Sequence, residues 1–589
     1  MAIGRIVEID YTDFSTRMTV DLLESRAHGH KVFISTRGCN YCLHAGDIIK
    51  WELSLNEIGN MGNPEEIDYS SHMVHDKGIR YQQHLPVDKI QRVGYSPTLF
   101  TRMAETRRVL ANMVLNSGLS TRSQHLVIAL LLGDSSIIDK ATRQEFSVAG
   151  IAHVLALSGL HVGIIALIIW WLLFPLDYFG LKRLRLIITL ASIMLFAVFT
   201  GMSPSVMRSA IMIGVAFAAL IFHRRSSPIN SLCIAALVIL VFAPSSLYSV
   251  GFQLSFITVA AILQFHDVPS VLKTHNNLVD RIIATSIVSL IAMIATIALT
   301  AHYFHTVSFA SVLTNLLVLP ALPLFMILGT LFILVTASGM QWTCLVKCID
   351  LISGYIHWSA SIAGAIPFLH VNGVYVSTIG VVIYFVLILL ILWWLYSRCF
   401  KHLLAAGFAL VLLLAHSLWM DIKTPDQGLI VLNSFKSTPI LYYEHGLGYL
   451  WIPDEADTDM QTFRSFYSGF LSRYNIHDIK QIDNDTTLKL EGAFFKPPFA
   501  HLMGHRLMVV GNGKCGKTDD TGKMKIDCII ATKRFHGKIA KLRELYDFSR
   551  VVASGAMPSV ALTALIVECD SLGVTCHVVG ESGAWAVSQ

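Results

Sequence analysis

Apolar positions recur in three rhythms along this chain of 589 residues. Near the start they alternate: Met18, Val20 and Leu22 form one set, and Ile49, Trp51, Leu53 and Leu55 a second. A period of two places each set on one face of a strand. Turn-rich stretches such as Ala27-His28-Gly29-His30 separate the sets, so this part predicts a small β-barrel. A longer irregular piece runs from Gly59 to about Pro86. Between Thr98 and Asn116 charged residues interleave with Leu110, Met113 and Val114, the pattern of an amphipathic helix. These rhythms divide the chain at 1–97, 98–150, 151–420 and 421–589.

The second rhythm is a series of long apolar runs. A bilayer core of about 30 Å takes about 20 helical residues. On that measure the predicted spans are Ile151–Phe174, Leu184–Thr200, Ser205–Phe222, Ile229–Phe242, Val250–Phe265, Ile282–Ala301, Phe309–Thr336, Ile349–Ile366, Val374–Trp394 and Leu403–Met420. Ile229–Phe242 is the shortest, and Pro320 and Pro323 are expected to break the seventh. Leu126–Leu132, ending at Gly133, is apolar but too short to cross, and is expected to dip into the interface. The third rhythm, from about Gln427, mixes strand-like segments (Leu429–Leu432, Ile440–Tyr443, Leu507–Val510, Ile526–Ile530) with helical ones (Met460–Tyr474, Lys538–Leu545), which predicts an α/β domain.

Composition agrees with a polytopic α-helical membrane protein of about ten spans. Hydrophobic residues make up 54% of the chain and charged ones only 14%, which excludes an ordinary soluble protein. About 150 residues precede the first long run, so that run is not a signal peptide. Residues 126–420 carry 13 Lys and Arg against 7 Asp and Glu, while residues 1–125 carry 14 of each and residues 421–589 carry 18 against 19. The positive excess therefore belongs to the membrane region and speaks to orientation, and neither flank has the basic excess that would announce nucleic-acid binding. Basic residues fall in alternate loops: Lys182, Arg183 and Arg185, then Arg224 and Arg225, then Lys273 and Arg281, then Lys347, then Arg398 and Lys401. This parity predicts that both flanking domains lie outside the cytoplasm.

The stretch LLLGDSSIIDKATRQEFSVAGIAHVLALSGLHVGIIA, Leu130 to Ala166, resembles the signature of the ComEC family of bacterial competence channels, which pass single-stranded DNA inward. TGMSPSVMRSAIM at Thr200–Met212, APSSLYSVGFQLSF at Ala243–Phe256 and SFASVLTNLLVLPALPLFMILG at Ser308–Gly329 are similar to later family blocks in the same order. The first strands and GNPEEIDY at Gly62–Tyr69 resemble the family's OB-like domain. The resemblance implies an inner-membrane channel for DNA uptake in natural transformation. It implies a DNA receptor outside and a cytoplasmic helicase or single-strand-binding protein as partners. Family members often carry spanning helices before the barrel, whereas this chain opens directly on a strand, so that anchor is expected to be absent or the start truncated. Many members end in a metallo-β-lactamase-like domain with an H-x-H-x-D-H metal cluster. Only Arg534-Phe535-His536-Gly537 is similar to part of that fold's motifs here, so residues 421–589 read as a degenerate relative, with no metal, no cofactor and no nuclease expected.

His153, Ser158 and His161 stand in the signature helix, where a spacing of eight puts the two histidines on nearly one face. They line a pathway or simply pack, since Ser158, Gly159 and Gly163 are the small residues that let helices approach. As a nucleophile pair Ser158 and His161 are at the wrong offset to touch. Arg208 lies inside the third span, where it would meet phosphates, snorkel to headgroups or pair with Asp134. Gln253 and Asn315 read as interhelical hydrogen-bonding groups or as pore lining. Asp134, Arg143 and Glu145 read as a solvated face. Cys39 and Cys42 form a lone C-x-x-C that a local disulfide would close, and a zinc site would need two further ligands. Gly511 to Thr518 has the spacing of a Walker A motif but reads as a β-turn loop. The sequence therefore predicts a single-stranded DNA conduit. Its rivals are a permease for a small solute and a membrane-embedded enzyme.

Overall fold

A computed structural model describes residues 1–12, 15–24, 30–38, 43–66, 68–221, 227–268, 274, 276–340, 342–454, 459–484, 487–490, 493–511 and 523–588. Two units divide the chain. The first holds residues 1–58, 69–297 and 307–371, and the second residues 59–68, 298–306 and 372–589.

The first unit begins with strands β1 (Ala2–Thr12), β2 (Ser15–Glu24), β3 (Lys31–Arg37), β4 (Asp47–Trp51), β5 (Asn56–Glu57), β6 (Ile79–Pro86) and β7 (Gln91–Tyr95). They form one seven-stranded sheet in the order β5-β6-β3-β2-β1-β4-β7. The alternating positions do what their period requires: Ile6, Met18, Val20, Leu22, Ile34, Ile49 and Trp51 share one core face. The alternation outlasts the strand. Chain pairing stops at Trp51, whose indole donates to Gln83 Oε1 at 3.1 Å, and Leu55 is exposed. The stretch GNPEEIDY does not stay with this sheet, because residues 59–68 group with the second unit.

Helix α1 (Leu99–Leu115) starts at Thr98, whose hydroxyl accepts the Thr101 amide at 3.3 Å. Then come α2 (Thr121–Val127), a π-turn over Ile128–Leu132, α3 (Lys140–Val148), the short α4 (Ala152–Leu155) and α5 (Gly159–Leu172). The π-turn is packed inside the protein. Ile128, Ala129, Leu130, Leu131 and Leu132 are all buried in the largest apolar cluster of this unit, as a segment apolar on every side requires.

Among the described residues nine longer helices follow: α6 (Lys182–Phe199), α7 (Pro204–Ile221), α8 (Pro228–Phe242), α9 (Val250–Gln264), α10 (Asn277–Phe304), α11 (Ser311–Ala337), α12 (Thr343–Ala365), α13 (Thr378–Ser397) and α14 (Phe400–Lys423). Each of the ten predicted spans coincides with helical chain, the first of them broken into α4 and α5. By length and composition α10, α11, α13 and α14 are able to cross a membrane, and α5, α7, α8 and α9 are shorter apolar helices. Leu389, Phe408 and Leu418 are more than 60% exposed. Apolar surface of that kind is stable against lipid rather than water, so this is a helical membrane protein with an N-terminal sheet domain. Pro320 and Pro323 do not break α11, which runs unbroken through both. Each proline removes one backbone donor from the ladder, and the helix tolerates the two losses.

In the second unit α13 and α14 meet at Leu387, Ala406 and Ala409, where small side chains permit close approach. Beyond them lies a four-layer sandwich. One sheet contains β8 (Gln427–Val431), β9 (Ile440–Glu444), β10 (Leu447–Trp451) and β11 (Asp478–Ile482), with the final strand Trp585–Ser588 beside β8. The other has seven strands, among them His505–Val510, Cys528–Ala531 and Arg550–Ala553. Their facing sides share a core that includes Val431, Trp451, Phe495, Val509 and Ile530. Helices Met460–Phe466 and Ser468–Arg473 cover the outer side of the first sheet, and Ile539–Leu545 and Ser559–Ser571 that of the second.

Candidate functional site

The signature segment is not one helix. Ala156 is extended at φ −94°, ψ 140°, and Ser158 at φ −115°, ψ 171°, so the chain leaves α4 and starts again as α5. The spacing of eight between His153 and His161 therefore sets no shared face: His153 is exposed on α4 and His161 is fully buried in the first turn of α5. The break has a local cause. Ser158 is an N-cap residue, and the His161 side chain reaches back so that Nδ1 accepts the Ser158 backbone amide at 2.9 Å.

That cap also brings Ser158 and His161 into contact, contrary to expectation, with Ser158 Oγ 2.9 Å from Nδ1. A reciprocal cap joins positions three apart, with Ser158 as the capping residue and His161 at the third position of the helix. The lone pair of Nδ1 is already occupied by the amide, and no carboxylate among the described residues orients the other ring nitrogen. The pair is built to start a helix.

Across from this turn stands α7. A Cβ on Gly159 would lie 2.7 Å from Ser209 Oγ and 3.5 Å from Arg208 Nη2, so only glycine admits this approach of α5 to α7. Arg208 is 4% exposed. Its Nη2 donates to Ser205 Oγ at 3.4 Å and its guanidinium lies 5.6 Å from the Phe256 ring centroid on α9. Among the described residues Nη1 has no partner, and neither does His161 Nε2. The pairing of Arg208 with Asp134 is not formed: the Asp134 carboxylate accepts the Ser136 amide at 3.0 Å and hydroxyl at 2.6 Å. Arg208 does not snorkel either, since it is enclosed by protein.

Other candidates separate from this cluster. The Gln253 amide donates to the Leu247 carbonyl at 3.0 Å, tying the start of α9 to the turn before it. Asn315 Oδ1 is buried on α11 without a partner among the described residues. Glu145 is half-buried and lies 3.3 Å from Nδ1 of His357, which is buried on α12. His357 was not legible as a partner, because nothing in a sequence links positions so far apart. Arg143 donates to the Ser135 carbonyl at 2.9 Å.

Outside the apolar helices, Glu8 on β1 pairs with Arg107 on α1 at 2.9 Å. Nearby Asp10 reaches solvent but is hemmed in by protein. This crowding first, and then Glu8 and Asp134, push its carboxyl up to about 6. In the sandwich, the buried Thr438 hydroxyl lies 2.6 Å from Asp454 Oδ2 and 2.8 Å from Ser554 Oγ. His536 is exposed, and no three His, Cys, Asp or Glu among the described residues are grouped to hold a metal ion. Cys39 and Cys42, and residues 512–522 of the Walker-like loop, lie outside the described residues.

Residues 130–398, which contain the whole α5–α7 cluster, match the family model described as Competence protein. Residues 429–589 match the model described as ComEC C-terminal domain. Among curated proteins the chain is similar to ComE operon protein 3 of Bacillus subtilis (strain 168), at 28% identity over 272 residues. That is 45% of this chain and 33% of the relative, so the match spans about a third of that protein's length. No solved structure matches the chain. Two family models in sequence, one over the membrane helices and one over the sandwich, and a ComE operon relative together place this chain in the ComEC family of competence proteins.

Proposed function

We propose that this protein conducts single-stranded DNA across the bacterial inner membrane during natural transformation. The observation that carries the reading is a coincidence of place. The region matching the competence model holds a buried arginine, with no carboxylate partner among the described residues, beside the first turn of a helix. A polyanion crossing a bilayer needs such local positive potential, and a buried charge without a partner is costly to keep for packing alone.

In this reading the ten helical segments all cross, with both flanking domains outside. The seven-stranded sheet is an OB-like receiver of the incoming strand. The four-layer sandwich is a metallo-β-lactamase relative that has lost its nuclease, so the strand is cut elsewhere. His153, Ser158, His161, Arg208 and Gln253 border the route. A DNA receptor delivers the strand, and a cytoplasmic helicase or single-strand-binding protein draws it in, since no energy source is visible in this chain. The Ser158–His161 contact gives no support to a membrane enzyme, because its geometry is that of a cap.

Transformation frequency in a deletion strain and its complemented parent tests the reading. The deletion is expected to abolish transformation by added DNA and to leave transformation by electroporated DNA intact. Unchanged frequencies with added DNA would support the small-solute permease instead.

A further inference from the structure

We propose that Arg208, the first amides of α5 and the ring of His161 form a binding site for a single phosphodiester anion within the helix bundle. The inference rests on the DNA-conduit reading for its ligand and deepens it by naming the place where the backbone is held.

The groups are all donors. Gly159 and Leu160 occupy the first two positions of α5, where backbone amides have no acceptor within the helix. His161 Nδ1 accepts the Ser158 amide, so the proton of the neutral ring resides on Nε2, which is buried and without a partner. Arg208 Nη1 is likewise buried and without a partner, and its sister Nη2 lies 3.5 Å from where a Cβ of Gly159 would stand. The guanidinium is thus set against the positive end of the α5 dipole, an arrangement that repels itself unless a negative charge lies between. Among the described residues no carboxylate pairs with Arg208. A tetrahedral oxyanion with one charge suits a guanidinium fork and a helix amino end together. Phosphodiesters of a DNA strand and of a phospholipid headgroup share that chemistry. The strand is favoured because the guanidinium is enclosed by protein, bonded to Ser205 and facing the Phe256 ring, rather than on the lipid side.

The test uses the full-length protein purified in detergent and two fluorescent oligothymidylates of equal length, one with natural phosphodiesters and one with uncharged methylphosphonates. Wild type is expected to prefer the charged strand. R208Q should weaken that preference about tenfold, the equivalent of one charge-assisted hydrogen bond. R208K should retain most of it, and G159A, which keeps every charge but crowds Ser209 and Arg208, should weaken it as well. Gel filtration and melting profiles that match wild type establish that each variant is folded. Equal preference in wild type, R208Q and G159A overturns the site. Binding of short-chain phosphatidylglycerol that depends on Arg208, with oligothymidylate binding unmoved by R208Q, assigns the anion to lipid and overturns the DNA assignment. If R208Q and G159A lose the preference while cells lacking the protein still transform normally, the conduit reading falls and the site stands.

Discussion

Asn63 and Asn433, 370 positions apart, clasp each other: the Asn433 amide donates to Asn63 Oδ1 at 2.7 Å, and Asn63 Nδ2 donates to the Asn433 carbonyl at 3.0 Å. The Asn433 side chain continues the clasp by donating to the Met61 carbonyl at 2.7 Å. Both residues are buried, so each lost partner strands a polar group away from water. Asn63→Ala should therefore cost about 2 kcal/mol in the second unit. Gly555→Ala should loosen the same clasp, because its new Cβ would fall 1.9 Å from Asn433 Oδ1. Hydrogen exchange at the Asn433 amide checks both: it should quicken in either variant and stay slow in Ser434→Ala.

Ser158 acts here as a helix cap. Ser158→Ala is expected to destabilise the start of α5 by about 1 kcal/mol and to leave DNA uptake measurable, whereas Ser158→Thr should behave as wild type. Thermal unfolding and transformation frequency together check this. A nucleophile would show loss of all activity with unchanged stability.

The Glu145–His357 contact links α3 to α12. Replacing either residue alone, as in Glu145→Ala or His357→Leu, should destabilise the bundle, and the double variant should be milder than the sum. A coupling of about 1 kcal/mol is expected from a double-mutant cycle read by thermal unfolding. Additive effects would show that the two side chains are neighbours without interaction.

Asp10 predicts a pH dependence. Its carboxyl is raised in the folded protein from 3.8 to about 6, so the fold favours the protonated form. That contribution is fully present below the unfolded value and is lost as pH rises through the folded one. Asp10→Asn should accordingly melt with wild type near pH 4 and above it at about pH 7.5. A constant difference between the two proteins over that interval would contradict the assignment.

How far the sequence speaks depends on the range of the interaction. Strand faces such as Met18, Val20 and Leu22 and the apolar runs of α10, α13 and α14 were legible, because a period or a run length is local. The break before α5 was written in Ser158-Gly159, but the apolar residues on either side masked it, and a cap partner at His161 is visible only once the turn has formed. Pro320 and Pro323 misled, since a proline removes one helical hydrogen bond without necessarily ending the helix, and α11 runs through both. Leu126–Leu132 looked interfacial by length alone, while its burial depends on residues such as Val318 and Phe325 nearly two hundred positions away. Arg208 was legible as a candidate. Its lack of a counter-ion was not, since that depends on where Asp134 finds its partners.

The most direct measurement is arrival of fluorescent DNA in the cytoplasm of three strains: deletion, wild type and complemented with Arg208→Gln. The account predicts no cytoplasmic signal in the deletion, full signal in wild type and a reduced one with Arg208→Gln, while surface-bound DNA stays equal in all three. Cytoplasmic signal in the deletion strain equal to wild type would contradict it.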